Sequence, residues 1–376
     1  MFQPFLKTNI LIQNRIRKCR KPIPAAHMKD RVEQLDGLRG IFSILVIAHH
    51  HNAFKDSVFY NNFFVINSSL FVDFFFVLSG FVIAMNYIGR IRTSGDFVIF
   101  MKKRFVRLYP LLFYTEVVFI LANLAGEESS MKNAGNLGME YYLSTALDTL
   151  TFMGSTPVFG SWMSINYPAW SISAEMVSYL FFGIVILLFP RLKYVCFAVL
   201  AIISALFIIS RGEYLLAYDY GFVRGLLCFC VGIYTHLLLS KRRFHLSAFE
   251  IPFLIFLVMA MYFTHHWNLN LLKLAFPLIF SLGIVIFASS AGIVSQLLSS
   301  RPFQYVGKIS YSIYLNHAIV LILVNVVLFR ILKSPATEPM IGISLLASIV
   351  LTIFYSHFTY EFIEKRVGKF LRSKLE

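Results

Sequence analysis

Two residues of different chemical character punctuate the stretch "LDGLRGIFSILVIAHHH", Leu35 to His51. Arg39 carries a permanent cation that can hold an anion, and His50 carries an imidazole that can take or give a proton near neutral pH. A helix turns about 100° and rises about 1.5 Å per residue, so the path between them makes three turns plus about 20°. The two side chains then share one face, roughly 16 Å apart. His49 lies about 80° from that face and His51 about 120° from it, which leaves His50 as the histidine aligned with Arg39. A cation at a membrane mouth and an imidazole about half a bilayer deeper suit a molecule with an anionic head and a reactive tail. The plainer alternative is an arginine reaching back to lipid headgroups and a histidine cluster at the far interface.

Other polar groups interrupt apolar runs. "SSLFVDFFFVLSGFVIAMNY" holds Asp73 among phenylalanines, and "YPAWSISAEMVSYLFF" holds Trp170, Ser171, Ser173 and Glu175. An acid within a membrane span is costly and marks a functional site by default. Asp73 and Glu175 are therefore candidates to orient or couple with a histidine, as acids do in catalytic pairs; Asp73 could equally pair with an arginine. In "FMKKRFVRLYPLLFY", Arg104 and Arg107 are three apart and project from one helical face. Two guanidinium forks suit a phosphate or pyrophosphate, although basic residues beside a span are also common on the cytoplasmic side. "YSIYLNHAIV" supplies a second histidine, His317, with Tyr311 and Tyr314 on the preceding turns. These residues could line a substrate cavity or serve as ordinary packing between helices. Glu361 and Glu364 are expected to pair with Lys365 or Arg366.

Elements that position such groups must be helices in a bilayer. Of the 376 residues, 58% are hydrophobic and only 14% charged, with 40 phenylalanines; the mean hydropathy is +0.70. Soluble globular proteins carry about 25% charged residues. The pattern predicts an all-α polytopic membrane protein with ten spans: 38–54, 63–88, 110–125, 168–189, 194–210, 219–239, 249–264, 272–290, 309–332 and 341–362. The segment 126–167 is apolar but broken by Asp148, Gly154, Pro157 and Gly160, and is expected on the outer side. Ten spans put both termini on one side together with most lysines and arginines. The opposite loops hold only Lys55, Lys132, Arg211, Lys273 and Lys333, which predicts cytoplasmic termini. The net charge of +15 is thereby a membrane-topology signal rather than a nucleic-acid one. No metalloprotease, Walker or dinucleotide motif occurs. Cys19, Cys196, Cys228 and Cys230 show neither a disulfide framework nor zinc spacing, and no metal site is expected. Three parts are expected: a basic cytoplasmic extension over 1–32, a transmembrane domain over 33–365 and a basic tail over 366–376.

Taken in order, "LDGLRG", "FVDFFFVLSGFVI", "KRFVRLYP", "WSISAEMVSY", "RGLLCFCVGIY" and "GKISYSIYLNH" resemble the membrane-bound acyltransferase-3 family. The resemblance runs from about residue 33 to 365 and implies about ten transmembrane helices in a bacterial inner membrane. It implies transfer of an acyl group, usually acetyl, from cytoplasmic acyl-CoA to a hydroxyl of a cell-surface or lipid-linked carbohydrate such as O-antigen or exopolysaccharide. Carried over by position, Arg39 and His50 match the family's arginine–histidine pair, and Arg104 and Arg107 match its arginine pair. Glu175 matches the acid after the Trp-Ser motif of Trp170 and Ser171. His50, Glu175 and Asp73 are then the catalytic candidates, with the three arginines on acyl-CoA and Trp170, Ser171, His317 and Tyr314 on the acceptor. The flanking His49 and His51, the basic N-terminal extension and the lack of a hydrolase-like domain after residue 365 depart from the pattern. A stand-alone enzyme is expected. The competing class is a transporter or flippase, because intramembrane charges also mark substrate paths.

Overall fold

A bilayer offers no water to satisfy backbone N–H and C=O groups, so apolar runs of this length are driven to close their hydrogen bonds locally. The computed structural model of the chain follows that rule. It describes residues 32–128, 139–156, 158, 165–241, 244–267 and 270–374, and among these there is no strand. The basic segment over 1–31 lies outside the described residues. Glu33–Glu376 forms one compact unit.

Nine helices among the described residues are long and apolar enough to cross a membrane. They are α2 (Phe63–Tyr87), α3 (Ser94–Ala122), α5 (Tyr167–Leu188), α6 (Lys193–Arg211), α7 (Gly221–Lys241), α8 (Ser247–His266), α9 (Asn270–Ala288), α12 (Ser310–Ile331) and α13 (Glu338–Ser373). Before them stands α1 (Glu33–His50), whose first turns carry Glu33, Asp36 and Arg39. The nine coincide with nine of the ten expected spans; the remaining one, 38–54, falls on α1, which is not among the helices long and apolar enough to cross a membrane. The short α4 (Met139–Leu150) is about 18 Å long, too short to cross a bilayer. Two further short helices, α10 (Ile293–Leu298) and α11 (Arg301–Lys308), precede α12.

The first helix runs from Glu33 to His50 rather than over 38–54, and two other boundaries differ by more. The third span does not start at 110: α3 is already helical at Ser94 and carries Lys102, Lys103, Arg104 and Arg107. Nor does the last span stop at 362, since α13 continues to Ser373. Hydropathy falls where charges begin, whereas the backbone ladder has no reason to stop there. Pro110 inside α3 and widened π-type turns at Val326–Ile331 and Tyr360–Val367 let long helices bend locally.

The core lies where α2 and α7 run against each other. Phe74, Phe76, Val77 and Phe81 of α2 and Leu226, Cys228 and Phe229 of α7 are buried. Backbones touch there because of two glycines. A Cβ on Gly80 would stand 2.0 Å from the Phe229 carbonyl oxygen, and one on Gly232 would stand 2.0 Å from the Val77 carbonyl oxygen. Small residues at a helix seam allow this approach in lipid, where packing rather than water exclusion holds helices together. Gly232→Ala is expected to lower the thermal midpoint of the purified protein by several degrees, because the obstructing atom is backbone and cannot rotate away. A midpoint equal to wild type in detergent thermal-shift measurements would contradict the seam. By contrast α6 exposes Val195, Val199, Ile202, Ile203, Leu206 and Ile209, a surface suited to lipid tails.

Candidate active site

α1 ends on three histidines, and the structure sends them to three different partners. His49 Nδ1–H donates to the Val65 carbonyl oxygen at 3.1 Å. His51, just past the helix end, meets Ser344 Oγ through Nε2 at 3.1 Å. Ser344 Oγ donates onward to Asn325 Oδ1 at 2.7 Å, so it accepts from His51. His50 alone turns to another histidine: its Nδ1 lies 3.0 Å from His317 Nε2 on α12. The two rings stack with centroids 4.9 Å apart and planes 28° apart. The alignment that separated His50 from its neighbours in sequence thus separates them in space.

Aromatic rings close around the pair. Tyr167, at the start of α5, has its ring 4.8 Å from His50 and 6.0 Å from His317. Tyr314, one turn before His317, has its ring 5.9 Å from it. His317 is fully buried. With Nδ1 of His50 engaged, its Nε2 has no partner among the described residues. In the tautomer where Nδ1–H donates to His317, that Nε2 is a free acceptor for a proton.

Neither expected acid reaches this pair. Glu175 accepts from Ser79 Oγ at 2.7 Å and from the Tyr179 hydroxyl. Asp73 takes Arg224 Nε at 2.7 Å on Oδ1 and the Tyr214 hydroxyl at 2.9 Å on Oδ2. Arg224 also donates to the Ser69 carbonyl oxygen at 3.2 Å, and its guanidinium lies 5.7 Å from the Trp170 ring centroid. Both members of the Asp73–Arg224 ion pair are almost completely buried. His50 finds its partner in an imidazole instead of a carboxylate. Tyr214 lies in the loop before α7, where burial and the neighbouring Asp73 push its hydroxyl well above the usual tyrosine range. It therefore stays a neutral donor to Asp73.

The arginines are held in advance of any ligand. Arg104 donates to the Tyr87 hydroxyl at 3.0 Å and lies over the Tyr87 and Tyr179 rings, which ties it to the Glu175 cluster. Its Nε is buried and has no hydrogen-bond partner among the described residues. Arg107 forms an ion pair with Glu364 and lies over the Tyr311 ring. Ser312 Oγ donates to the same Glu364 at 3.0 Å. Glu361 does pair with Lys365, as its spacing suggests, but Glu364 belongs to Arg107, a contact across 257 positions. Arg39 pairs with Asp36 at 3.3 Å and remains about one-third exposed. Ser171 Oγ donates to the Pro168 carbonyl oxygen at 3.0 Å, three residues back, and Trp170 packs near Phe76. The sequence-derived residues therefore divide into a histidine pair ringed by Tyr167 and Tyr314, a structural knot around Asp73, and an arginine–glutamate cluster. Among the described residues there is no group of histidine, cysteine and acidic side chains fit to hold a metal ion.

This arrangement sits in a recognisable frame. The chain belongs to the acyltransferase-3 family: the family model, an acyltransferase domain, matches residues 32–358. It is a membrane-embedded member of that enzyme class. Relatives are more distant. It is 26% identical over 374 residues to the O-acetyltransferase OatA of Staphylococcus aureus, an alignment covering 89% of this chain and 57% of OatA. It is 32% identical over 159 residues to protein 2 of the picA locus of Rhizobium radiobacter, covering 39% of this chain and 78% of that protein. The chain thus spans little more than half the length of OatA. No solved structure matches it.

Proposed function

We infer that this protein is a membrane O-acyltransferase that moves an acyl group, with acetyl as the leading case, from cytoplasmic acyl-CoA to a carbohydrate hydroxyl. The observation that carries this reading is the His50–His317 pair, half-buried at His50 and fully buried at His317, with one ring nitrogen of His50 unengaged. In this mechanism the acceptor hydroxyl gives its proton to His50 Nε2 as its oxygen attacks the thioester carbonyl carbon. The new C–O bond forms, the C–S bond breaks, and the departing CoA thiolate takes the proton back from His50. His317 holds the imidazole in the required tautomer, and the buried aromatic wall keeps competing water away. The acceptor in this reading is a sugar unit of a cell-envelope glycan, and the OatA relative, an O-acetyltransferase, supports transfer of acetyl to oxygen. Both termini face the cytoplasm of a bacterial inner membrane, as the loop charges direct. Residues 33–365 make the catalytic domain, flanked by basic cytoplasmic segments.

Arg104 and Arg107 hold the phosphates of the donor near the Tyr87, Tyr179 and Glu364 groups that orient them, and Arg39 contributes from the rim of α1. Charge-assisted hydrogen bonds are each worth about 1.5–3 kcal/mol. Arg104→Ala is accordingly expected to raise KM for acetyl-CoA about tenfold or more, with a smaller change in kcat. Steady-state kinetics with varied donor check this, and an unchanged donor KM removes Arg104 from the site. Arg107→Ala carries a second effect, because it strands Glu364 as well.

Two measurements test the function as a whole. The purified protein in lipid nanodiscs is supplied with radiolabelled acetyl-CoA and with envelope glycan from cells lacking the gene. Surface glycans from cells with and without the gene are compared by mass spectrometry. Label in the glycan, matched by an acyl mass lost from the deletion strain, is the expected result. Substrate movement without any acyl donor would instead mark a transporter.

A further inference from the structure

One acid in the membrane interior is left unanswered by the protein. Glu116, on α3 just beyond Pro110, is fully buried, and neither Oε1 nor Oε2 has a hydrogen-bond partner among the described residues. The deficit holds in either protonation state. A carboxylate presents lone pairs with no donor, and a neutral acid adds an O–H with no acceptor. A group so costly to bury persists where something other than the fold uses it.

Its neighbours share the deficit. Asn166 donates both amide hydrogens within the protein, to Thr115 Oγ1 at 3.2 Å and to the Leu315 carbonyl oxygen at 3.3 Å. A carbonyl can only accept, so the amide nitrogen must face Leu315. The other end of that amide, Oδ1, is buried with no donor among the described residues. Thr115 is the residue before Glu116, and Leu315 lies two residues before His317, whose Nδ1 is also buried and unpartnered. Asn166 is followed by Tyr167, the ring beside His50. Phe119, one turn beyond Glu116, packs with Ala318 and Tyr167. One amide thus ties together three segments that carry unsatisfied polar atoms, beside the histidine pair.

The type of those atoms indicates what is missing. Glu116 Oε1, Glu116 Oε2 and Asn166 Oδ1 are acceptors, so the complementary ligand brings donors. A neutral sugar unit brings several hydroxyl groups, each able to donate and to accept, which answers Glu116 in either protonation state, while an acidic or phosphorylated one would bury a further charge beside it. We propose that Glu116 and Asn166 form the acceptor subsite, accepting hydrogen bonds from hydroxyls of a neutral carbohydrate and so presenting another hydroxyl to His50. Glu116 is a positioning residue: it orients the sugar and takes no part in bond making. The proposal rests on the O-acyltransferase reading above and specifies which class of acceptor it takes.

The test uses the full chain in nanodiscs with labelled acetyl-CoA. Envelope glycan from the deletion strain, titrated by hexose content, is the acceptor. Glu116→Gln keeps the shape but halves the acceptor capacity. It is expected to raise the apparent KM for glycan about tenfold while the KM for acetyl-CoA moves less than twofold. Its ligand-free thermal midpoint should equal or exceed that of wild type, because an unpaired acid has been removed. A purely structural Glu116 predicts the reverse: earlier unfolding, and both KM values rising together. The ratio of the two KM values decides. If Glu116→Gln does not fold, Glu116→Asp, which withdraws the carboxyl by one methylene, is read by the same ratio. An unchanged ratio in a wild-type-competent assay overturns this proposal alone; no transfer by wild type overturns it together with the function it rests on.

Discussion

His50→Ala is expected to reduce acyl transfer by about 10³-fold, within the usual range for a removed general base and close to 4 kcal/mol of barrier. The loss should fall on kcat, since the phosphate site proposed for the donor, at Arg104 and Arg107, lies elsewhere. The protein should still insert and purify, because the His50 side chain makes one hydrogen bond, to His317. His317→Ala should cost less, about 10- to 100-fold, since His50 keeps its basic nitrogen and loses only its orientation. His49→Ala and His51→Ala serve as controls: their ring nitrogens bond to Val65 and Ser344 and to neither member of the pair. Transfer rates for the four variants, normalised to folded protein, separate these roles. If His49→Ala lost transfer by about 10³-fold while His50→Ala stayed active, the assignment along α1 would be wrong.

The second large effect concerns stability. Asp73→Ala would leave the Arg224 guanidinium buried without its carboxylate. Breaking one side of a buried ion pair costs about 3–5 kcal/mol. The expected result is a sharp fall in the thermal midpoint in detergent and poor recovery from membranes. Arg224→Ala should behave alike. The double variant Asp73→Leu with Arg224→Met should recover much of the loss, because it removes both charges together. Recovery of stability without recovery of transfer would give the pair a catalytic part as well. If Asp73→Ala melts like wild type but loses all transfer, the knot is functional rather than structural.

Much of this architecture can be read from sequence, for identifiable reasons. Spans announce themselves through hydropathy, and α1, despite its charged first turns, follows from the periodic placement of Arg39 and His50. Helix ends are less legible. α3 and α13 extend past the charges that close a hydropathy window, because backbone hydrogen bonding ignores side-chain charge. Pairings across the chain are least legible. His50 and His317 are 267 positions apart, and local spacing says nothing about which helix faces which. For the same reason Glu175 and Asp73, sensible partners for a histidine by chemistry, go to Ser79 with Tyr179 and to Arg224. Glu116 was open to discovery. It lies in "FYTEVVFILA", and the rule that picked out Asp73 as an acid in an apolar run applies equally to it.

The glycine contacts between α2 and α7 have a consequence for how tightly those helices are indexed. A slide of one turn, about 5.4 Å, would carry neighbouring side chains onto the carbonyl oxygens that Gly80 and Gly232 now clear. The two helices are therefore pinned lengthwise like a key in its lock, with no intermediate setting. Asp73 and Arg224 sit about two turns along from those pins, so their meeting is fixed by atoms that carry no side chain at all.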